Sequence, residues 1–291
     1  MEDPDFFMDT KIAIWGLGLI GGSLALALQG RCKMLLGIDP DADTLAAAQK
    51  MGLVDFAASA PDAAIPQANM IILAAPVSAI LDHLKMLPRL HSGSAVILDV
   101  GSTKSEIIAS MDMLPDRFDP IGGHPICGKE KSSLVHADKM IFQGAPFGLV
   151  SLPRTSVRAK TYAEHLVQIV GSYPLWLDPE AHDRWVAATS HLPYLVANAL
   201  AAATPQAAAP LAGPGLRSTT RLAGSSPRMM RDICASNRDA ILAALGRFRS
   251  CLDTLEDQMS AGDYPGLERS FTAGKNQHEV LTSGSAQGDR S

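Results

Sequence analysis

Three features of this 291-residue chain could do chemistry: histidines beside small or hydroxyl residues, a glycine-rich turn, and a run of arginines in an otherwise acidic protein. His124 lies in Gly122-Gly123-His124-Pro125-Ile126-Cys127-Gly128, which predicts a loop at the end of a strand. Glycine-rich loops lie at surfaces and in clefts, where a neutral imidazole can take the proton of a hydroxyl being oxidised. Asp99-Val100-Gly101-Ser102-Thr103-Lys104 follows another strand-like run. There Ser102 can offer its hydroxyl to a substrate, or cap a helix starting near Thr103 with Glu106 nearby, and the two roles are compatible. A second histidine, His191, sits in Ser190-His191-Leu192-Pro193-Tyr194. On its own it reads slightly more as a solvated or core histidine than as a ligand.

Gly16-Leu17-Gly18-Leu19-Ile20-Gly21 follows a predicted strand and opens a predicted helix, the context in which G-x-G-x-x-G carries physical meaning. The first glycine permits a tight turn, the second lets a pyrophosphate approach the backbone, and the third allows close helix packing, with the phosphates at the helix N-terminus. Asp39 ends the next strand, where its carboxylate can accept from a ribose diol and would repel a 2′-phosphate. The motif therefore predicts a dinucleotide site with NAD preferred over NADP, against the alternative of a glycine turn and a helix-capping aspartate. Ala74-Ala75-Pro76-Val77 ends another strand, placing Ala75 and Pro76 where open α/β sheets bind ligands. Between Arg217 and Arg231 stand four arginines (Arg217, Arg221, Arg228, Arg231) and no acidic residue. Arginine forks hold carboxylates bidentately, so the cluster suits a dicarboxylate, although a solvated helix face accounts for any single one of them.

These residues need a scaffold, and the hydrophobic pattern supplies one. Strands are predicted at Lys11–Trp15, Met34–Ile38, Met70–Ala74, Ala95–Asp99 and Phe118–Gly122, with Phe147–Val150 and Pro174–Leu177 closing the sheet. Helical spacing lies between them, as in Asp41–Met51, Ser78–Leu87 and Val157–Val170. After Asp178 the chain is rich in Ala, Leu and Arg and reads as helical, with helices near His182–Ala202, Met229–Gln258 and Pro265–Val280. The alanine-rich stretch Ala199–Ala212 is also read as helix. The expected architecture is α/β: an N-terminal Rossmann-type, doubly wound, mostly parallel sheet followed by an all-helical C-terminal domain. Residues 1–10 are expected to be a flexible leader, 11–178 the dinucleotide-binding domain, 179–281 the helical substrate and dimerisation domain, and 282–291 a disordered tail.

Composition narrows the class. Apolar types make up 47% and charged types 19%, as in a packed globular chain. A net charge of −5 provides no global positive field for nucleic acid or anionic lipid. Cys32, Cys127, Cys234 and Cys251 lack metal-type spacing and predict neither zinc nor a disulfide framework, which fits a reducing cytoplasm. The uncharged stretches Ile12–Gly30 and Leu192–Leu216 are too interrupted by glycine and proline to read as membrane spans.

The ordered set of motifs resembles the prephenate and arogenate dehydrogenase family (TyrA) over nearly the whole chain. It comprises Gly16–Gly22, Asp99–Lys104, Gly123–Ser132, Ser190–Pro193, and Thr220-Arg221-Leu222-Ala223 leading to Asp232, Ile233 and Asn237. The resemblance implies oxidative decarboxylation of a cyclohexadienol, either prephenate to 4-hydroxyphenylpyruvate or arogenate to tyrosine. It implies that His124 is the base on the ring hydroxyl and that Ser102 orients that hydroxyl. It implies that His191 binds the side-chain carboxylate, that Arg221 binds or organises a carboxylate, and that Glu130 lies beside the substrate entrance. It further implies a homodimer formed through the helical domain and no metal, while the short stretches before Lys11 and after Glu279 are expected to carry neither a fused mutase segment nor an ACT-type domain. Two rivals remain: another Rossmann-plus-helical dehydrogenase acting on a hydroxy acid or imine, and a non-catalytic NAD sensor.

Overall fold

The computed structural model describes residues 6–128 and 133–283; residues 1–5 of the expected leader and 284–291 of the expected tail lie outside the described residues. Among these residues eight strands form one sheet: β1 (Phe7–Trp15), β2 (Cys32–Ile38), β3 (Phe56–Ala58), β4 (Met70–Leu73), β5 (Ala95–Asp99), β6 (Phe118–Pro125), β7 (Pro146–Ser151) and β8 (Tyr173–Trp176). Their order is β3-β2-β1-β4-β5-β6-β7-β8. Every neighbouring pair is parallel except β6 and β7. The order reverses between β1 and β4, the switch point at which such sheets open a ligand crevice at their carboxyl ends.

The strands are apolar on both faces because helices cover both. Ile12 and Ile14 of β1 join one core with Leu24 and Leu28 of α1 (Leu19–Leu28). Ala13 and Trp15 join the other with Ile80 and Leu84 of α3 (Val77–Leu90). This two-sided burial explains why the strands read as continuous hydrophobic runs rather than as an alternation. The remaining helices are α2 (Ala42–Lys50), α4 (Ser105–Asp112), α5 (Val157–Ile169), α6 (Pro179–Val186), α7 (Leu192–Ala203), α8 (Pro214–Thr220), α9 (Pro227–Ser236), α10 (Arg238–Ser260) and α11 (Tyr264–Ser283). By compactness the chain divides into Met1–Arg238 and Asp239–Ser291. Within the second unit, α10 ends at a left-handed Gly262 (φ +67°) before α11 begins, and the Ser270 hydroxyl donates to Gln258 at 3.0 Å.

Several boundaries differ from those the sequence predicts. β1 begins at Phe7, inside the expected leader, because Phe7 is fully buried and pairs with Cys32 across a register shift before Lys11. β6 continues to Pro125, so His124 is a strand residue rather than a loop residue, held by antiparallel pairing with Gly148 of β7. β3 is too short to have shown a pattern. The alanine stretch leaves α-helix after Ala203, where Pro205 and Pro210 impose a 3-10 turn over Gln206–Leu211. The helix expected over His182–Ala202 carries a π-turn at Ala187–His191, and the one expected over Met229–Gln258 breaks at Asn237.

Candidate active site

The glycine turn is built as its sequence requires. Gly16 has φ +107°, and a Cβ there would lie 2.3 Å from the Ala74 carbonyl oxygen and 3.3 Å from the Ala75 nitrogen, so the turn presses against the end of β4 and brings Ala75 beside it. A Cβ on Gly21 would lie 1.9 Å from the Gly16 oxygen. Asp39 closes the turn from β2: its carboxylate accepts from the Leu17 N–H at 2.8 Å and the Asp41 N–H at 2.9 Å. The capping alternative falls on Asp41 instead, which accepts from Asp43 and Thr44 at the start of α2. The N-terminus of α1 has no side-chain cap and no acidic residue in its first turn among the described residues. Its amide donors and dipole are thus left for an anion, and the residues present fit the pyrophosphate of a dinucleotide.

Beyond β5, a buried ion pair sets the next turn. Lys104 and Asp99 expose no side-chain surface and bond directly. Asp99 also accepts from the Gly101 N–H at 2.8 Å and the Gly123 N–H at 3.3 Å, and Lys104 donates to the Gly123 carbonyl at 2.7 Å. The turn carrying Ser102 is therefore tied to the residue before His124. Burial pushes the Asp99 carboxyl up and the Lys104 ammonium down from their ordinary values, each opposed by its partner. Ser102 caps no helix. α4 starts at Ser105, and Asp183 of α6 accepts from the Lys104 N–H at 2.7 Å and the Ser105 N–H at 2.9 Å in its place.

His124 and the first turns of the helical region meet here. His124 Nδ1 is 2.9 Å from His182 Nε2, and His182 Nδ1 is 2.9 Å from Asp183 Oδ1. Burial, then the neighbouring His182, Lys104 and His191, hold the His124 imidazole well below the ordinary histidine value. Burial alone would raise Asp183, but the hydrogen bonds from His182, Ser105 and Lys104 outweigh it and lower the carboxyl. His191 is buried at the end of the π-turn, a backbone irregularity frequent at functional sites. Burial, opposed by Asp183 and aided by His182, takes its pKa to about 4. Asn237 donates to the Asp183 carbonyl at 2.8 Å and lies 3.3 Å from His191 Nδ1, so the break between α9 and α10 supplies a buried amide to this cluster.

The structure thus joins His124 and His191 to one network through His182, Asp183 and Asn237, and ties the turn that carries Ser102 to it through Lys104. Arg217, Arg221, Arg228 and Arg231 are exposed; Arg221 begins a 3-10 turn (Arg221–Gly224), and Arg231 pairs with Asp232, which also accepts from Ser78 of α3 at 3.0 Å. Glu130 lies outside the described residues. Asp99, Lys104, His182, Asp183 and Asn237 are the network members sequence reasoning did not single out as site residues. Asp99 and Lys104 stand inside a quoted motif, but nothing local signals that the His182-Asp183 pair faces a histidine 58 residues away.

A doubly wound sheet with a dinucleotide-type turn, and a histidine at the carboxyl end of a strand backed by helical residues, defines an oxidoreductase of the Rossmann-plus-helical class. Within that class the chain belongs to the prephenate dehydrogenase family. Residues 24–173 match the family's nucleotide-binding domain and residues 178–273 its dimerization domain. Among relatives, the chain is 34% identical over 286 residues to the prephenate dehydrogenase of Bacillus subtilis, covering 94% of this chain and 76% of that one. The solved arogenate dehydrogenase of Synechocystis is 30% identical with a TM-score of 0.80, covering 94% of this chain and all (100%) of that one. Prephenate dehydrogenase from A. aeolicus, solved with hydroxyphenyl propionate and NAD+, is 25% identical with a TM-score of 0.86, over 94% and 98% of the two chains. Among the described residues no helix is long and apolar enough to cross a membrane, and no group of metal-binding side chains occurs.

Proposed function

We propose that the protein catalyses NAD-dependent oxidative decarboxylation of prephenate to 4-hydroxyphenylpyruvate, or of arogenate to tyrosine, in tyrosine biosynthesis. The observation that carries the reading is His124 at the carboxyl end of β6, held neutral by burial, with Nδ1 engaged by His182 and Nε2 left for a substrate hydroxyl. Gly16, Gly18, Leu19, Ile20, Gly21, Ala75, Pro76 and Ser102 would hold NAD, which when bound would supply the acceptor for the hydride of the carbinol carbon. His124 takes the hydroxyl proton, with Ser102 orienting the oxygen. The bond to the carboxylate on the opposite ring carbon then breaks, and its electron pair restores the aromatic ring and arrives on the oxygen. His124 returns the proton to that oxygen, so no net proton is released and one carbon dioxide leaves.

His191 suits the substrate side-chain carboxylate as a neutral donor: with Nδ1 facing the Asn237 amide donor, its proton belongs on Nε2. Arg221 is assigned to a substrate carboxylate and Glu130 to the entrance. Asp39 directs preference to NAD over NADP. The helical part from Pro179 onward is read as the substrate and dimerisation domain of a cytoplasmic homodimer. Exposed Leu252, Met259 and Phe271 on α10 and α11 support an apolar contact there. His124→Asn tests the assignment: NAD binding measured by calorimetry should persist while turnover falls about 10²–10⁴-fold, the usual share of a general base. Undiminished turnover would remove His124 from the chemistry.

A further inference from the structure

His124 has a partner whose hydrogen-bonding capacity is fixed one step further back. Asp183 accepts at both oxygens, from the Lys104 and Ser105 amides and from His182, and these bonds keep it ionised. An ionised carboxylate can only accept, so His182 Nδ1 must carry a proton. With that proton on Nδ1, the tautomer of His182 that accepts presents Nε2 to His124 Nδ1, 2.9 Å away. That nitrogen can only accept, so the proton of neutral His124 sits on Nδ1 and the lone pair on Nε2. The chain of donors runs in one direction, from His124 through His182 to Asp183.

We infer that the buried His182-Asp183 pair is a positioning unit that sets the His124 tautomer and steadies the imidazolium formed when His124 takes the substrate proton. This deepens the reading of His124 as the base and rests on it. His182 and Asp183 expose 1% and 4% of their surface, so water does not compete for these bonds. The fold also leaves the ring its place. Gly148, opposite His124 in the sheet, lies where a Cβ would already touch His182 Cδ2 at 3.4 Å, so a side chain beyond a methyl there would displace the ring. When His124 gains its proton at Nε2, its Nδ1–H keeps donating to His182, and the new positive charge faces a ring backed by the Asp183 carboxylate. The arrangement follows the logic of a histidine base oriented by a buried carboxylate, with a second imidazole in between.

Two variants and one spectrum test this. His182→Leu removes the acceptor and should lower kcat about 10²-fold or more, within the range of general-base contributions, with KM within about threefold because substrate contacts remain. His182→Gln places an amide oxygen near the position of Nε2 and should recover at least about tenfold of that loss, which a role in packing alone would not give. Nitrogen-15 spectra of histidine-labelled wild-type protein, assigned with His124→Asn, should show His124 protonated at Nδ1 and bare at Nε2. The inference is overturned by a His182→Leu kcat within about threefold of wild type, by Gln performing no better than Leu, or by a His124 proton found on Nε2. If His124→Asn itself retains full turnover, the base assignment fails first; if only the His182 result is absent, the base stands and its positioning unit does not.

Discussion

Replacing Lys104 by methionine isolates the buried ion pair beneath the site. The methionine fills most of the same volume but leaves the Asp99 carboxyl without surface exposure or a counter-charge, held by the Gly101 and Gly123 amides at 2.8 and 3.3 Å. Breaking a buried pair from one side costs about 3–5 kcal/mol, chiefly for the stranded charge. At about 2–4 °C per kcal/mol, the melting temperature should fall by roughly 10 °C at pH 7.5. Adding Asp99→Asn removes the charge, so the double variant should recover about 1–3 kcal/mol of the loss despite carrying two changes. The pH dependence follows from the same charge. Burial raises the Asp99 carboxyl, and Lys104 no longer opposes it in the single variant. The folded state then binds a proton more tightly than the unfolded chain, whose carboxylate titrates near 3.9, so the single variant loses stability as pH rises above about 4. Melting followed by circular dichroism at pH 4.5 and 7.5 for wild type, single and double variants reads each term. Equal melting temperatures for the single and double variants at pH 7.5, or a gap that does not widen with pH, would refute the stranded-charge argument.

Gly21→Ala places a methyl 1.9 Å from the Gly16 oxygen, so NAD affinity by calorimetry should weaken at least about tenfold through displacement of the turn; unchanged affinity would mean that the turn yields without cost. Asp39→Ala should move the ratio of kcat/KM for NADP over NAD upward by about tenfold or more, since the carboxylate that repels a 2′-phosphate is gone; a constant ratio removes Asp39 from the ribose. His191 titrates near 6.5 when unfolded but at about 4 when folded, so the unfolded chain takes up its proton first and stability is lost as pH falls from 6.5 toward 4. At 1.36 kcal/mol per unit this reaches about 3 kcal/mol. Urea midpoints at pH 7 and 4.5 should therefore converge in His191→Gln relative to wild type, and an identical acid loss in both would contradict the burial argument.

The features of the fold and site that can be read in the sequence are those encoded locally. Continuous runs such as Met70–Leu73 and Ala95–Asp99 announce strands buried on both faces, and Gly16 and Gly21 announce a turn where backbone must approach backbone. His124 was visible as a polar residue among glycines, but its place in β6 was not, because that depends on antiparallel pairing with β7. Ser102 reads both as a hydroxyl for substrate and as a helix cap, because a capping residue is chosen by local spacing; the actual cap, Asp183, arrives from 78 residues away. His182, the role of Asn237 and the partnership of Asp99 with Lys104 are hidden for the same reason: buried polar groups find partners through tertiary packing, which periodicity does not encode. The helix break at Asn237 shows the converse, a local interruption whose purpose appears only when its amide reaches Asp183 and His191.

Oxidative decarboxylation is tested by NADH formation by the purified protein with NAD⁺ and prephenate, beside the same reaction with arogenate, with carbon dioxide and the aromatic product quantified. At least one substrate should yield NADH, carbon dioxide and 4-hydroxyphenylpyruvate or tyrosine in equal amounts, and His124→Asn should slow this about 10²–10⁴-fold while still binding NAD⁺. Bound NAD⁺ with no turnover of either substrate would contradict that activity.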